Sequence, residues 1–459
     1  MKPAAMSGRS LHFRQAWLPD GWASDVRISV RDGRIATVEA GAAPVDGDER
    51  HGAAVPGMPN LHSHAFQRGF AGLAERRGPG RDSFWTWRER MYAFVERIDP
   101  ADLRAIAAMA YLEMLEKGFT RVAEFHYLHR DRAGTPYSDP AEMCGAVAAA
   151  AAQTGIGLTL LPVYYAASGF GRAPAPEQRR FVTDLPGFAK LLEAAAGLKQ
   201  TLPDMVLGVA PHSLRAVGPD ELPKVVAMAG RGPVHIHIAE QPQEVEDCLA
   251  ALGARPVEWL LDNHPVGANW CLVHATHMTD AEADGLAASG AVAGLCPITE
   301  ANLGDGLFPF EPFRQAEGQW GIGSDSNVLI DPCEELRLLE YGQRLARQKR
   351  AMLANGPGRS TGEDMVGAAL AGGALATGAR AGLAPGLSAD IVSLDLSHAC
   401  FAGWKPDEIL DRWIFAAGSS AVDCVWRNGR KWVENGRHIE RDTILRAYGR
   451  VMERLVQAL

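Results

Sequence analysis

The segment Val55-Pro56-Gly57-Met58-Pro59-Asn60-Leu61-His62-Ser63-His64 is a short apolar run closed by two histidines one residue apart. Read as a β-strand, it points residues i and i+2 to the same face, about 6–7 Å apart. Two imidazoles so placed can converge on one ion at ~2.0–2.1 Å each. A lone His-x-His is weak evidence, because a single strand histidine is more often packed or hydrogen-bonded than ligating. Here further metal-competent groups follow at the ends of later apolar runs: His237 in Val234-His-Ile-His-Ile, His274 after Trp270-Cys-Leu-Val, and Asp325 in Gly323-Ser-Asp. Groups of this kind at successive strand ends favour a site over five separate coincidences.

Outward from these runs, the middle of the chain alternates strands with helices. Beyond the run into His62, strands are predicted at Thr120–Phe125, Gly157–Tyr164, Val206–Ala210, Val234–Ile238, Trp270–His274, Ala291–Leu295 and Trp320–Asp325. A helix over Ala101–Lys117 has Asp99 as its N-cap and Gly118 as its stop. Eight such units over residues 53–385 fit an α/β fold, the (β/α)8 TIM-type barrel, whose chemistry sits at the carboxyl ends of the strands.

The two ends of the chain read differently. Asp32-Gly33 and Asn428-Gly429 each lie between alternating segments, a strong hairpin signal. Residues 1–52 and 386–459 are therefore expected to build one composite β-sandwich domain. It ends in an amphipathic helix over Thr443–Leu459 that carries Ile444, Leu445, Val451 and Leu455 on its apolar face.

Bulk properties set the class. The 459 residues are 47% hydrophobic and 22% charged, and no stretch is long and apolar enough to suggest a membrane span. The N-terminus lacks the hydrophobic block of a signal peptide. The seven scattered cysteines, odd in number and without a Cys-x-x-Cys, give a reduced, cytoplasmic expectation. A net charge of −9 argues against a nucleic-acid partner, yet a few arginines can still make a pocket attractive to a small anion.

Three imidazoles and one carboxylate, His62, His64, His237 and Asp325, suit Zn2+ with room left for water. Such an ion lowers the pKa of water toward ~7. Glu240, three residues after His237, or Asp325 takes the proton of the water, Glu240 can hand one to a leaving nitrogen, and His274 can polarise an electrophile or orient the water. His235 shares the face of His237 by parity, so spacing does not rank the two; only the His-x-x-Glu match favours His237. His126, His129 and His277 read as loop or support residues.

The chain resembles the amidohydrolase superfamily, specifically its deaminase-like branch with one divalent metal. The resemblance rests on His62-Ser-His64, His237-Ile-Ala-Glu240, Val273-His274 and Gly323-Ser-Asp325, in family order. Members with two metals carry a lysine at the end of the fourth strand; Val206-Leu-Gly-Val-Ala-Pro-His-Ser-Leu-Arg has none, which implies one ion per chain. Within the branch, longer segments are similar to the formimidoylglutamate deiminases: His64-Ala-Phe-Gln-Arg-Gly, Phe84-Trp-Thr-Trp-Arg-Glu-Arg-Met-Tyr, Glu124-Phe-His-Tyr-Leu-His, Ala210-Pro-His-Ser-Leu-Arg-Ala-Val and Cys296-Pro-Ile-Thr-Glu-Ala-Asn-Leu-Gly-Asp-Gly.

That resemblance implies hydrolysis of N-formimino-L-glutamate to N-formyl-L-glutamate and ammonia in histidine degradation, and a homodimer. It also implies that Gln67, Arg88, Tyr127, His212 and Arg215 contact substrate. Arginine is well shaped to grip the carboxylates of a glutamyl group. For Arg88 a solvated surface role is an equal alternative, with Arg90 and Arg97 nearby. Trp85 and Trp87 read as packing residues of a lid after the first strand, and Glu300 and Asn302 shape the pocket without an assigned role. Fe2+ or Mn2+ could replace Zn2+ at such a site. Rival readings are a deaminase of guanine or another ring amidine, and hydrolysis of the same substrate to glutamate and formamide. A further rival is a non-catalytic scaffold, which would be expected to have lost ligands that this chain retains.

Overall fold

Backbone hydrogen bonds at two seams decide the architecture. The computed structural model describes residues 8–76 and 84–457, and of Phe84 and Trp85 the backbone only. One parallel sheet contains Met58–Ser63, Phe119–His126, Gly157–Tyr164 and Val206–Leu207, with Ala210–Pro211 added beside Gly157–Tyr164. A second contains Val234–Ile238, Trp270–His274, Val292–Leu295 and Gln319–Ile322. At one seam Val209 bridges to Val234 and Ser213 to His237, with His237 N donating to His212 O at 3.0 Å. At the other, Ser63 bridges to Asp325; His64 N donates to Asp325 O and Asp325 N to His62 O, each at 2.9 Å. The strands thus close into the expected (β/α)8 ring, which leaves no exposed sheet edge. The seams are built from the same residues as the candidate site.

Strand positions follow the sequence reading closely, with one interruption. The fourth strand is broken between Val206–Leu207 and Ala210–Pro211 rather than continuous. A Cβ on the intervening Gly208 would lie 2.3 Å from Pro233 O, so the two chain segments approach too closely there for any side chain. Pro211 also removes a ladder donor. The first long helix runs Pro100–Lys117 with Asp99 and Asp102 in a reciprocal capping box, and Gly118 leaves it at φ 98°. Helix Thr361–Thr377 closes the amino-terminal end of the barrel. Its Gly372 and Gly373 lie against Trp320 and Pro59, and its Ala376 and Thr377 carbonyls accept from His235 and Thr159.

The chain ends form one continuous eight-stranded sheet, in the order Arg437–His438, Arg430–Glu434, Val422–Arg427, Ile391–Leu394, Glu49–Pro56, Arg9–Leu18, Gly21–Arg31, Arg34–Glu39. Both predicted hairpin turns have the left-handed pair that a two-residue turn needs: Asp32 and Gly33 at φ 50° and 78°, Asn428 and Gly429 at 48° and 68°. The sheet bends over on itself into a sandwich. Phe13 and Trp426 lie three strands apart in the pairing order, yet their rings meet edge-on at 6.2 Å. The two hairpin tips also touch, since a Cβ on Gly33 would sit 3.1 Å from Asn428 O. Between the layers Phe13, Val26, Ile28, Ile391 and Trp426 make a separate small core.

The terminal helix is Arg441–Val456; residues 458 and 459 lie outside the described residues. It buries Ile444 and Leu455, but Leu445, placed on its apolar face by the sequence reading, is 44% exposed. The packed stripe follows Ile444, Tyr448, Val451, Met452 and Leu455, one step round the helix from Leu445. The seven cysteines are free. Among the described residues no helix is long and apolar enough to cross a membrane.

Candidate metal centre and active site

His62, His64, His237 and Asp325 converge at the carboxyl end of the ring, their ligand atoms all within 4.8 Å of one another. His62 Nε2 lies 3.2 Å from His64 Nε2 and 3.0 Å from His237 Nε2. Asp325 Oδ1 lies 3.4 Å from His62 Nε2 and 3.2 Å from His64 Nε2. Nitrogens bound at ~2.0–2.1 Å around a tetrahedral ion stand about 3.3 Å apart, so the spacing fits a single cation.

Proton placement fits as well. His64 Nδ1 hydrogen-bonds Phe125 O at 2.9 Å, and His237 Nδ1 hydrogen-bonds His212 O at 3.2 Å. A backbone carbonyl can only accept, so each imidazole carries its proton on Nδ1 and turns the Nε2 lone pair inward, as a metal ligand must. Burial holds His62 down to about 3 and His237 well below the ordinary histidine range. Burial would raise Asp325, but its close approach to His62 and His64 keeps it well below the usual carboxylate range. The donor set is three imidazoles and one carboxylate, which fits a divalent cation.

Height in the barrel separates the two histidines that parity could not. His235 lies two residues deeper, where Nε2 bonds Ala376 O at 2.8 Å on the floor of the barrel. His237 is level with His62 and His64. The site backbone is strained to present these groups: Ala239, His274, Ala275, Asp325 and Asn327 have φ of 50°, 68°, 48°, 41° and 55°. Gly323 explains the close seam, since a Cβ there would meet the His62 backbone O at 2.8 Å and N at 2.9 Å. Asn60, Ser324 and Asn327 lock it: Asn60 Nδ2 donates to Ser324 Oγ at 2.6 Å and Asn327 Nδ2 to His64 O at 3.1 Å.

A cavity opens over the cluster and brings together most of the residues singled out from sequence. His64, Gln67, Arg88, Tyr127, His212, Arg215, His237, Glu240, His274 and Asp325 all line it, and His62 lies beneath them. His274 Nε2 stands 3.9 Å from both Glu240 Oε1 and Asp325 Oδ2, while Nδ1 faces Glu300 Oε1 at 3.3 Å. Burial would lower His274, but Glu240, Glu300 and Asp325 outweigh it and raise the group to about 10. Burial raises Glu240 above the usual carboxylate range. Gln67 Nε2 donates to Tyr127 Oη at 2.9 Å. Gln67 Oε1 is buried and has no hydrogen-bond partner among the described residues. Arg215 is buried with Nε 3.9 Å from Glu244 Oε1.

Arg88 belongs to helix Phe84–Val95, lines the cavity, and lies 5.7 Å from the Tyr92 ring. Trp87 both lines the cavity and packs on Phe70 at 5.7 Å, so it does more than fill a lid; the Trp85 side chain lies outside the described residues. Glu300 orients His274 and accepts from Cys296 N at 2.9 Å, whereas Asn302 points away to Glu75. The reading from sequence missed Met91, Tyr92, Tyr165, Phe181 and Leu303 in the wall. For Tyr92 the signal was its i+4 spacing from Arg88; for Tyr165, its place just after the third strand. Leu303 falls inside the quoted run Cys296–Gly306, whereas Phe181 lies in a segment without such a mark.

A closed parallel ring, an end sheet drawn from both termini and a His–Asp cluster at the strand ends together define the class: the chain belongs to the amidohydrolase family, which residues 53–432 match. Residues 9–52 match the N-terminal domain of formimidoylglutamate deiminase HutF. Among individual proteins, the chain is similar to the formimidoylglutamate deiminase of Pseudomonas aeruginosa, with 49% identity covering 97% of this chain and 99% of that one. A crystal structure of an amidohydrolase from Brucella melitensis superposes with a TM-score of 0.94 at 53% identity, covering 98% of this chain and 100% of that one. The zinc-bound adenosine deaminase of Xanthomonas campestris shares the fold at 22% identity and a TM-score of 0.80, with 98% of each chain covered.

Proposed function

We propose that the protein hydrolyses N-formimino-L-glutamate to N-formyl-L-glutamate and ammonia, in histidine degradation. The observation that carries this reading is the pairing of the His–Asp cluster with two guanidinium groups, Arg88 and Arg215, in one cavity. The 49% identity to a formimidoylglutamate deiminase over nearly the whole chain supports the same substrate. We assign one Zn2+ per chain to His62, His64, His237 and Asp325, and further infer a cytoplasmic homodimer. We also take residues 1–52 with 386–459, and 53–385, as the two units of the chain.

When bound, the divalent ion supplies Lewis acidity that brings the pKa of a water toward ~7. Arg215, buried at the cavity wall, and Arg88, on the helix across from it, receive the two substrate carboxylates. Gln67 Oε1 accepts a substrate N–H, and Tyr127 Oη, already accepting from Gln67, donates its own proton into the cavity. Glu240 lines the cavity beside the cluster, its Oε1 3.9 Å from His274 Nε2. It takes one proton from water as the C–O bond forms and passes it to the terminal formimino nitrogen; it then carries the adduct's hydroxyl proton to the same nitrogen, which leaves as ammonia as the C–N bond breaks and the C=O bond forms. Asp325 stays ionised between His62 and His64. His274, held by Glu300, donates toward the oxygen of the adduct.

The test is ammonia release from N-formimino-L-glutamate by the zinc-loaded protein, with the co-product identified. Ammonia with N-formylglutamate supports the reading; formamide with glutamate, or turnover of guanine or an adenine nucleoside in its place, refutes it.

A further inference from the structure

The segment Glu124-Phe125-His126-Tyr127-Leu128-His129 contributes Tyr127 to the cavity and turns its two histidines away from it. Phe125 points into the barrel, its ring 5.0 Å from His62 and 4.3 Å from His237. By strand alternation His126 points outward, under the surrounding helices. There its ring meets that of His129 at 5.4 Å, and Cys144 approaches from helix Glu142–Thr154. The ligand atoms of His126, His129 and Cys144 lie within 4.8 Å of one another, and all three residues are buried.

Hydrogen bonds within the protein leave ring nitrogens of this cluster unmet. His129 Nε2 bonds Val163 O at 2.9 Å, which places the proton there and leaves Nδ1 as a bare lone pair. That Nδ1 has no partner among the described residues. His126, 1% exposed, has no partner at either ring nitrogen; the Leu128 backbone comes near without reaching hydrogen-bond geometry. A buried polar atom without a partner keeps the full cost of its lost hydration, and these nitrogens gather around a thiol. Burial keeps both imidazoles neutral, His129 down to about 4 and His126 well below the usual range, which is the ligating form.

We propose that His126, His129 and Cys144 form a second metal site, separate from the catalytic cluster, for a thiophilic closed-shell cation, Zn2+ or Cu+. A carbonyl-oriented imidazole, a second unpartnered imidazole and a cysteine make a soft donor set of two nitrogens and one sulfur. Binding displaces the thiol proton to solvent and forms a sulfur–metal bond. The cation ties the end of strand Phe119–His126 to helix Glu142–Thr154 and so braces the loop that presents Tyr127 to the cavity. Cu+ leaves the buried site neutral beside the thiolate, whereas Zn2+ leaves one net positive charge, and separate loadings tell the two apart.

The experiment loads the full-length protein with Zn2+ or, without oxygen, with Cu+, removes free metal and measures cations per chain. We expect two per chain for one of these loadings. Cys144→Ser and His129→Gln should each fall to one while keeping turnover. Co2+-loaded wild type should show a thiolate-to-cobalt charge-transfer band, which the sulfur-free catalytic set does not supply, and Cys144→Ser should abolish it. One cation per chain under both loadings overturns the proposal, as does a second cation or a cobalt band that persists in Cys144→Ser and His129→Gln. Should the serine variant fail to fold, the wild-type stoichiometry and His129→Gln still decide.

Discussion

Replacing Arg215 with methionine tests whether the cavity recognises a carboxylate. Arg215 is 7% exposed, lines the cavity, and has Glu244 as its near counter-ion at 3.9 Å. Its Nε makes no hydrogen bond among the described residues, so guanidinium capacity remains to be filled. Truncating one partner of a buried, hydrogen-bonded charge pair costs about 2–5 kcal/mol, roughly a 30-fold to several-thousand-fold loss of binding. Arg215→Met also leaves Glu244 uncompensated beside the cavity, and that carboxylate repels an anionic substrate. The upper part of the range is therefore expected, appearing mainly as a raised KM. Arg215 pairs with Glu244 and not with the His–Asp cluster, so bound metal should stay at the wild-type level. The assay is steady-state ammonia release on N-formimino-L-glutamate, with metal per chain measured on the same sample. An Arg215→Met/Glu244→Gln double variant separates clamp from counter-ion: it should recover part of the loss by removing the repulsion. Full recovery in the double variant would refute the clamp, and so would an unchanged KM in the single one.

Three further outcomes follow from the geometry. Glu240→Gln should keep the metal and lower kcat by about 10²–10⁴-fold, the usual contribution of a positioned proton carrier; a kcat near wild type would remove Glu240 from the chemistry. His237→Ala should lose metal and turnover together, while His235→Ala, which breaks only the bond to Ala376 O, should keep the metal and lower the melting temperature; metal analysis showing the reverse would move the ligand assignment. Gly323→Ala drives a methyl into the His62 backbone, and should cost about 1–3 kcal/mol of stability together with metal affinity; a variant that binds metal and melts like wild type would show that the seam can yield.

Much of the fold could be read along the chain because it depends on local repetition. Five of the eight predicted strands match the observed bounds to within a residue at each end, Val234–Ile238 and Trp270–His274 among them. Parallel barrel strands are buried on both faces, so they appear as plain apolar runs between helices. The hairpin turns were equally legible, because Asp-Gly and Asn-Gly tolerate the left-handed pair that the turn requires. The fourth strand was misread as continuous. Its break at Gly208 is caused by Pro233, a neighbour far enough along the chain that nothing in the local pattern announces it.

The candidate site divides along the same line. Residue type and strand-end position grouped His62, His64, His274, Asp325 and one histidine of Val234-His-Ile-His-Ile, because donor chemistry and the barrel rule are properties of sequence order. Only the tertiary structure decided which histidine of Val234-His-Ile-His-Ile reaches the cluster, since depth along the barrel axis is set by the floor helix Thr361–Thr377 and not by parity. It likewise brought Arg88 to the cavity, supplied the wall of Tyr92, Tyr165 and Phe181, and turned His126 and His129 outward toward Cys144. Those placements depend on contacts between residues distant in sequence. A linear pattern encodes which face a side chain takes, but not what stands opposite it.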